Sequence, residues 1–562
     1  MIKCLGCGSS LLFDPASQLL KCPHCGRTEK VEDFTDSYPH YVEAETDPYD
    51  PNVTHQVKTY DALLYTCPNC GAELVATDET ASTFCSFCGD SVVLRGRLMR
   101  QKYPAYIIPF SKTKQDCEEA YRKKLRKAIF APSWMRSETE IEKFRGIYMP
   151  YWTYDFGKNR RVNVEGKKSH RSGNYIITDH YRLTKEIRAE YEGASFDAAS
   201  TFNDTLSEAI SPFRVQDAKE FTPAYLSGFY ADVGDVDQSL YSEDASDMAA
   251  DYFRSNLLKD PTFSGYEISD TALKNQLSPE KKAEKLGYFP VWFLALRSRS
   301  NKRVSYAVVN GQTGKVAADL PVSFAKYILG SLLLAVPFFF ALNFLLTLTP
   351  VKALLISAFL ALISMLIVNV QLNRTYTREH DLDDRGLQDA RKRQAAETGG
   401  SAPPAPENAA PKKTVKKTKK NASSVLIGAL IVAAFIIGPY ILDYIPWIFD
   451  GGIFIGMLIF GVIFIAGFIW NAVSKRGRPN KRRKQDTAKA PFREKILTLL
   501  KPAAGILIAV ITWLVNPVQD LYYYAAASVV MALIAWSIYD IIREHNRQTM
   551  RPLPQFGKRG GK

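Results

Sequence analysis

Six long apolar runs set the pattern of the second part of the chain. YILGSLLLAVPFFFALNFLLTL begins at Tyr327, KALLISAFLALISMLIVNVQL at Lys352 and SVLIGALIVAAFIIGPYIL at Ser424. GIFIGMLIFGVIFIAGFIWNAV begins at Gly452, ILTLLKPAAGILIAVITWLV at Ile496 and LYYYAAASVVMALIAWSIYDII at Leu521. A helix of roughly 20 apolar residues covers the hydrocarbon core of a bilayer, so each run predicts a membrane span. Short turns at 349–351 (TPV), 443–451 (DYIPWIFDG) and 516–520 (NPVQD) join them into three hairpins. Lys501 and Pro502 interrupt the fifth run and move its predicted start toward Ala503. Buried helices of a large soluble core are the competing reading. Six paired runs flanked by basic loops argue against it.

Before residue 325 the pattern changes to short mixed periods. SKTKQDCEEAYRKKLRKAIFAP (111–132) opens on Ser and Thr and closes on Pro, which predicts a helix. SETEIEKF (137–144) has capping-box spacing at Ser137 and Glu140, and SEDASDMAADYFRSNLL (242–258) predicts another helix. Segments 149–166 and 289–316 both open with Pro-x-Trp and continue with alternating apolar residues, a basic turn and a second strand. They predict two related β-hairpins. The Trp and Tyr residues around Pro109, Pro150 and Pro290 read as core, with a peptide-binding groove as the alternative.

The net charge is +14, and its location decides what it means. Residues 1–325 carry 41 Lys and Arg against 44 Asp and Glu, a net of −3. Residues 373–423 carry 12 basic and 7 acidic side chains, residues 474–495 carry 10 and 2, and residues 543–562 carry 6 and 1. The hairpin turns hold no Lys or Arg. Positive charge stays on the cytoplasmic side, which predicts six spans with both termini in the cytosol. MIKCLGCGSS has no apolar stretch of a cleavable signal. The insert GGSAPPAPENAAPKKTVKKTKKNASS (399–424) lacks large apolar residues and predicts disorder.

The candidate chemistry lies in the cysteines. Cys4, Cys7, Cys22 and Cys25 form two Cys-x-x-Cys-Gly pairs with fourteen residues between them. Cys67, Cys70, Cys85 and Cys88 repeat the arrangement. Two thiolates on one tight turn can face one metal, and the Gly after each pair (Gly8, Gly26, Gly71, Gly89) permits the left-handed backbone that closes the knuckle. Two knuckles on two hairpin arms predict a closed tetrahedral Zn2+ site, so two structural zinc ions are expected. Rubredoxin-like iron and disulfides are the alternatives; cytosolic placement argues against disulfides. SLLFDPASQLLK predicts strand, Asp14-Pro15 turn, strand, and ELVATDETASTF does the same around Asp78. His24 reads as an exposed knuckle residue, and Cys117 as a reduced thiol in a helix.

No His-Glu-x-x-His, Walker loop or Gly-x-Ser-x-Gly is present, and NGQTGK (310–315) reads as a β-turn. The chain therefore reads as a non-enzyme. Nucleic-acid binding requires clustered cations against phosphate, yet the ribbons are nearly neutral. The soluble cluster Arg122, Lys123, Lys124, Arg126 and Lys127 reads as a solvated helix face diluted by Glu118 and Glu119. The basic loops beside the spans suit anionic lipid headgroups.

The expected fold is multidomain: two small β zinc ribbons, a mixed α/β cytosolic domain and a helical membrane region with six spans. The boundaries are 1–30 (first ribbon), 31–60 (acidic connector), 61–97 (second ribbon) and 100–322 (cytosolic domain). Membrane hairpins follow at 326–372, 424–473 and 496–542, separated by basic loops at 373–423 and 474–495 and followed by a basic tail at 543–562.

The ribbons, together with YIIPF (106–110), GIYMPYWTYDF (146–156), LSGFYADV (226–233) and the stretch from YFPVWFLALR to YAVVNGQTGKV, resemble one bacterial family. It is that of the TFIIB-type zinc-ribbon membrane proteins (YdjG-like), sometimes labelled PriA-helicase-like. The resemblance covers roughly residues 1–372. It implies an inner-membrane anchor that recruits SPFH-domain and PspA-type stress proteins. The helicase label finds no ATP-binding motif here. The simplest family pattern ends after two spans, and this chain continues with four more from Ser424. The expected function is thus a zinc-binding membrane scaffold for cytosolic protein partners. The alternatives are a membrane-tethered nucleic-acid binder and, last, a transporter or channel component, whose ionisable candidates are Lys501 and Asp540.

Overall fold

The computed structural model describes residues 2–37, 42–44, 57–76, 85–89, 95–298, 303–345, 349–397, 492–554 and 556. The expected second membrane hairpin and the expected disordered insert lie outside the described residues.

The first ribbon is its own three-stranded sheet, β1 (Leu12–Asp14), β2 (Leu19–Lys21) and β3 (Thr28–Glu29). As expected, β1 and β2 turn at Asp14, whose carboxylate accepts from the N–H groups of Ala16 and Ser17 at 3.3 Å. A 13-stranded sheet forms the body. In chain order it takes β4 (Val42–Ala44), β5 (Val57–Thr66), β6 (Glu73–Ala76), β7 (Arg95–Lys102), β8 (Tyr106–Ile107), β9 (Arg145–Ser172) and β10 (Tyr175–Asp197). It continues with β11 (Lys219–Glu220), β12 (Tyr230–Asp232), β13 (Glu267–Ile268), β14 (Glu280–Arg297), β15 (Val304–Asn310) and β16 (Val316–Ala318).

Strand β9 is the axis of this sheet. Its first half pairs antiparallel with β14, from Arg145 opposite Phe293 to Gly157 opposite Glu280. On its other edge lie β12 and then β10, which follows β9 from Asp197 opposite Tyr151 to Tyr175 opposite Ser172. The two Pro-x-Trp segments are thereby neighbours: Pro150 faces Tyr288, and Pro290 faces Tyr148. Only the second is a hairpin of the predicted kind, β14 returning as β15. Segment 149–166 does not turn at its basic residues. Val162 and Val164 pack with Leu257, Phe263 and Leu273, which holds the strand extended, and the turn comes instead at Gly173 (φ 60°). Beyond Gly157, β9 and β10 form a long ribbon with exposed Tyr175 and Ile176 at its tip.

The middle of the sheet is covered on both faces, so its strands read as continuous apolar runs rather than alternations. Tyr148, Tyr288, Trp292, Leu294 and Leu296 point to one face, where the first ribbon and helix α1 (Lys114–Lys127) pack. Met149, Tyr151, Phe289, Val291 and Phe293 point to the other, against the cysteine knuckles of the second ribbon. The arms of that ribbon are β5 and β6, which pair with β7 and β12 and so are strands of the large sheet.

Helix α1 starts as predicted. Thr113 and Asp116 complete a reciprocal capping box, and the helix ends at Lys127, five residues before the predicted Pro132. Helix α2 (Glu138–Ile141) is capped differently from the prediction: Ser137 makes no capping bond and its hydroxyl pairs with Thr139, while Glu140 is drawn to Lys143 at 2.9 Å. Further helices are α3 (Asp204–Ile210), α4 (Ser242–Leu257) and α5 (Asp270–Gln276).

After the sheet come α6 (Phe324–Leu345), α7 (Pro350–Glu379), α8 (Arg385–Glu397), α9 (Phe492–Val515) and α10 (Asp520–Thr549). Among the described residues three segments are long and apolar enough to cross a membrane: Pro350–Glu379, Thr498–Val515 and Asp520–Thr549. Six spans were expected; the first run forms α6, of which Phe324–Pro337 counts as a shorter apolar helix. Helix α9 runs unbroken through Pro502, so Ala503 is not its start. Lys501 is tied to the buried Asp540 at 2.5 Å and lies 4.3 Å from the Trp536 ring centroid. This pairing is what the interrupted run had hidden.

The helices are fastened to the sheet by charge. Glu379 at the end of α7 accepts from Arg303 of the sheet domain and from Arg547 of α10. Arg378 bridges Asp319 and Asp383 at 3.1 and 3.0 Å. After α10 the chain pairs back onto the sheet, Arg551 opposite Val304.

Phe289 is fully buried, stacked on Tyr151 with centroids 4.5 Å apart and edged by Phe213 at 4.9 Å. Phe289→Ala should cost about 3–5 kcal/mol, read as a lower urea midpoint of the sheet domain by tryptophan fluorescence.

Candidate metal centres

Each site is built by two knuckles of one design. The N–H of Gly8 bonds the carbonyl of Cys4 at 2.9 Å, Gly26 that of Cys22 at 3.0 Å, Gly71 that of Cys67 and Gly89 that of Cys85 at 2.9 Å. All four glycines have positive φ, between 67° and 76°. A side chain there would be strained, which is why the residue after each Cys pair is Gly.

The structure brings Cys4, Cys7, Cys22 and Cys25 together, and likewise Cys67, Cys70, Cys85 and Cys88; within each group the ligand atoms lie within 4.8 Å of one another. The Sγ separations are 3.6 Å for Cys4–Cys25 and 3.5 Å for Cys7–Cys22. They are 3.9 Å for Cys67–Cys88 and 3.7 Å for Cys70–Cys85. Four sulfurs about 2.3 Å from a tetrahedral metal would lie roughly 3.8 Å apart, so both groups fit one ion each. A disulfide would need about 2.05 Å, and all of these cysteines are free. The alternative of disulfides is therefore set aside. In the first site the N–H of Cys25 lies 3.5 Å from Cys22 Sγ and draws that thiol down.

The two sites differ in their surroundings. In the first, Cys4 and Cys22 are buried and Cys7 and Cys25 exposed. His24 is exposed and outside the ligand group. In the second, all four cysteines are buried. Asn69 donates toward Cys88 Sγ at 3.7 Å, and the Tyr306 hydroxyl donates to the Phe87 carbonyl at 2.9 Å. The sequence reading missed a further wall of this site. The segment after α10 returns to it, the N–H of Phe556 bonding the Cys70 carbonyl at 2.6 Å and its ring lying 6.0 Å from that of Phe87. The signal was present in RPLPQF, where Leu553 and Phe556 interrupt a basic stretch. Cys117 is buried in α1, where burial pushes its thiol up and keeps it protonated.

Chemically, four thiolates around one ion leave no open position for water or substrate. Such a site supplies folding energy, typically about 10–16 kcal/mol. The half-exposed first site should release metal to a chelator before the buried second site. Two kinetic phases are expected with a chromogenic chelator, and Cys7→Ser should remove the fast one alone. Loss of the second metal should also open the chain near Phe556 to limited proteolysis.

No family model matches the chain, and no solved structure matches it. It is a distant homologue of the uncharacterized protein YdjG of Bacillus subtilis (strain 168), 29% identical over 329 residues that span 58% of this chain and 91% of YdjG.

Proposed function

We propose that this chain is a zinc-dependent scaffold of the bacterial inner membrane. In this reading the two ribbons and the sheet form one cytosolic platform that recruits partner proteins. The carrying observation is that two closed four-cysteine groups are packed into opposite faces of a single sheet, and that Arg303 and Asp319, which flank its last two strands, pair with the apolar helices. Closed sites favour a structural ion, and zinc is the ion that four thiolates of this spacing most commonly hold.

Six spans with a cytosolic domain fit the chain direction. The start of α6, the end of α7 and the end of α10 all bond the sheet domain, through Ser323, Glu379 and Asn546. Crossings between those points then come in pairs. Basic residues near these ends agree with a cytosolic side. The resemblance to YdjG-like proteins supports partners of SPFH-domain and PspA type in a membrane-stress response.

The second reading, a tethered nucleic-acid binder, is favoured by one feature. The outer part of β9 carries Lys158, Arg160, Arg161, Lys167, Lys168 and Arg171. Lys158 is already paired with Glu280 at 2.6 Å, and β10 beside it carries Asp179, Glu186 and Glu190. Salt-sensitive DNA binding by the purified protein would favour this reading over the scaffold.

In a membrane pull-down, a Cys22→Ser/Cys85→Ser double variant is expected to lose its zinc and its partners together. Retained partners in a zinc-free variant would sink the zinc-dependent scaffold.

A further inference from the structure

Helix α1 ends against the first apolar helix, and the contact fixes how close its charges lie to a membrane. The Phe130 ring lies 5.5 Å from that of Tyr327. A Cβ on Gly330 would fall 2.7 Å from Phe130 Cε1, so the ring reaches more than a turn into α6. Lys326 Nζ donates to the Ala131 carbonyl, and the N–H of Ser323 to that of Phe130, both at 2.8 Å. Over this same stretch α6 exposes large apolar side chains, Phe324 at 42%, Ile328 at 41% and Leu329 at 69%. Those side chains face lipid if α6 crosses a membrane.

Beside Phe130, Ile129 is 65% exposed, an apolar side chain with no protein over it. One turn back, Lys123, Lys124, Arg126 and Lys127 are exposed, and none of them makes an ion pair among the described residues. Of the nearby carboxylates, Glu118 holds Lys114 and Arg122, and Glu138 also holds Arg122; Glu119, one turn before Lys123, is exposed and offsets one of the cluster's charges. Cations near a helix C-terminus suit the helix dipole. The dipole accounts for neither the uncovered Ile129 nor the level at which α1 ends.

We propose that the second half of α1, with Ile129, is a membrane-apposed platform that binds the anionic headgroups of the bilayer α6 enters. The basic residues would meet lipid phosphate, and Ile129 would sit in the interfacial layer. Lys and Arg held within a Debye length of an anionic leaflet are attracted to it. A cluster read from sequence as a solvated helix face thus becomes a second, peripheral grip on the membrane. The proposal rests on α6 spanning that membrane.

The test uses the full chain in nanodiscs of phosphatidylcholine alone or enriched in phosphatidylglycerol. Amide hydrogen exchange across residues 114–131 should be several-fold slower in the anionic discs. The difference should vanish at high salt and in a Lys123→Glu/Lys124→Glu/Arg126→Glu/Lys127→Glu variant, while β9 and β14 keep their protection and metal content is unchanged. Ile129→Ser should reduce it. Equal exchange in the two lipids, or a difference that survives charge reversal, would overturn the proposal. Failure of the chain to enter discs at all would overturn the spanning reading and the proposal with it.

Discussion

Everything else in this protein hangs on the two-sided pairing of β9. A strand through the middle of a body must satisfy its backbone groups on both edges, and β9 does so with β14 on one side and β12 and β10 on the other. That constraint fixes which side chains face which way along the whole ladder. Alternate residues then build two cores, one on each face. A small ribbon has too little apolar surface to stand alone. Here each cysteine group borrows a core: the first packs beside Tyr148 and Trp292, the second beside Phe289 and Phe293. The doubled cysteine group is accounted for by the two faces of one sheet.

Electrostatics divides the molecule along the same logic. The sheet domain is close to neutral, and its charges pair across elements. At the boundary with the apolar helices the pairing becomes dense. Arg303, Glu379 and Arg547 form one chain of charge-assisted bonds linking sheet, α7 and α10. Arg378, only slightly exposed, lies between Asp319 and Asp383 and pairs with both carboxylates. Such groups are expensive unless paired, so the joint is specific as well as strong. A loose linker would have needed none of it.

Local features were legible in the sequence, and long-range ones were not. Cysteine spacing and the following glycines gave the knuckles, because a knuckle is closed by residues within one turn. The Asp14 turn and the Thr start of α1 were readable for the same reason. Ser137 and Glu140 had the right spacing for a cap, yet Lys143 and Thr139 competed for them. The length of β9 was invisible, since the basic stretch Lys158–Arg161 looks like a turn until Val162 and Val164 find Leu257 and Phe263. Lys501 looked like a break in a span, because its partner Asp540 lies a whole helix away.

The contact between Phe556 and the second knuckle bears on the order of events during synthesis. Residues 67–88 leave the ribosome early and can take up metal while the rest of the chain is unmade. Their last neighbour arrives only after α10 has been produced and has found its place. Non-local contacts of this kind form late. The buried cysteine group therefore exists first with one wall open, and it closes only in a chain whose apolar helices have already been placed. That closure ties the finished state of the cysteine group to the finished state of the helices.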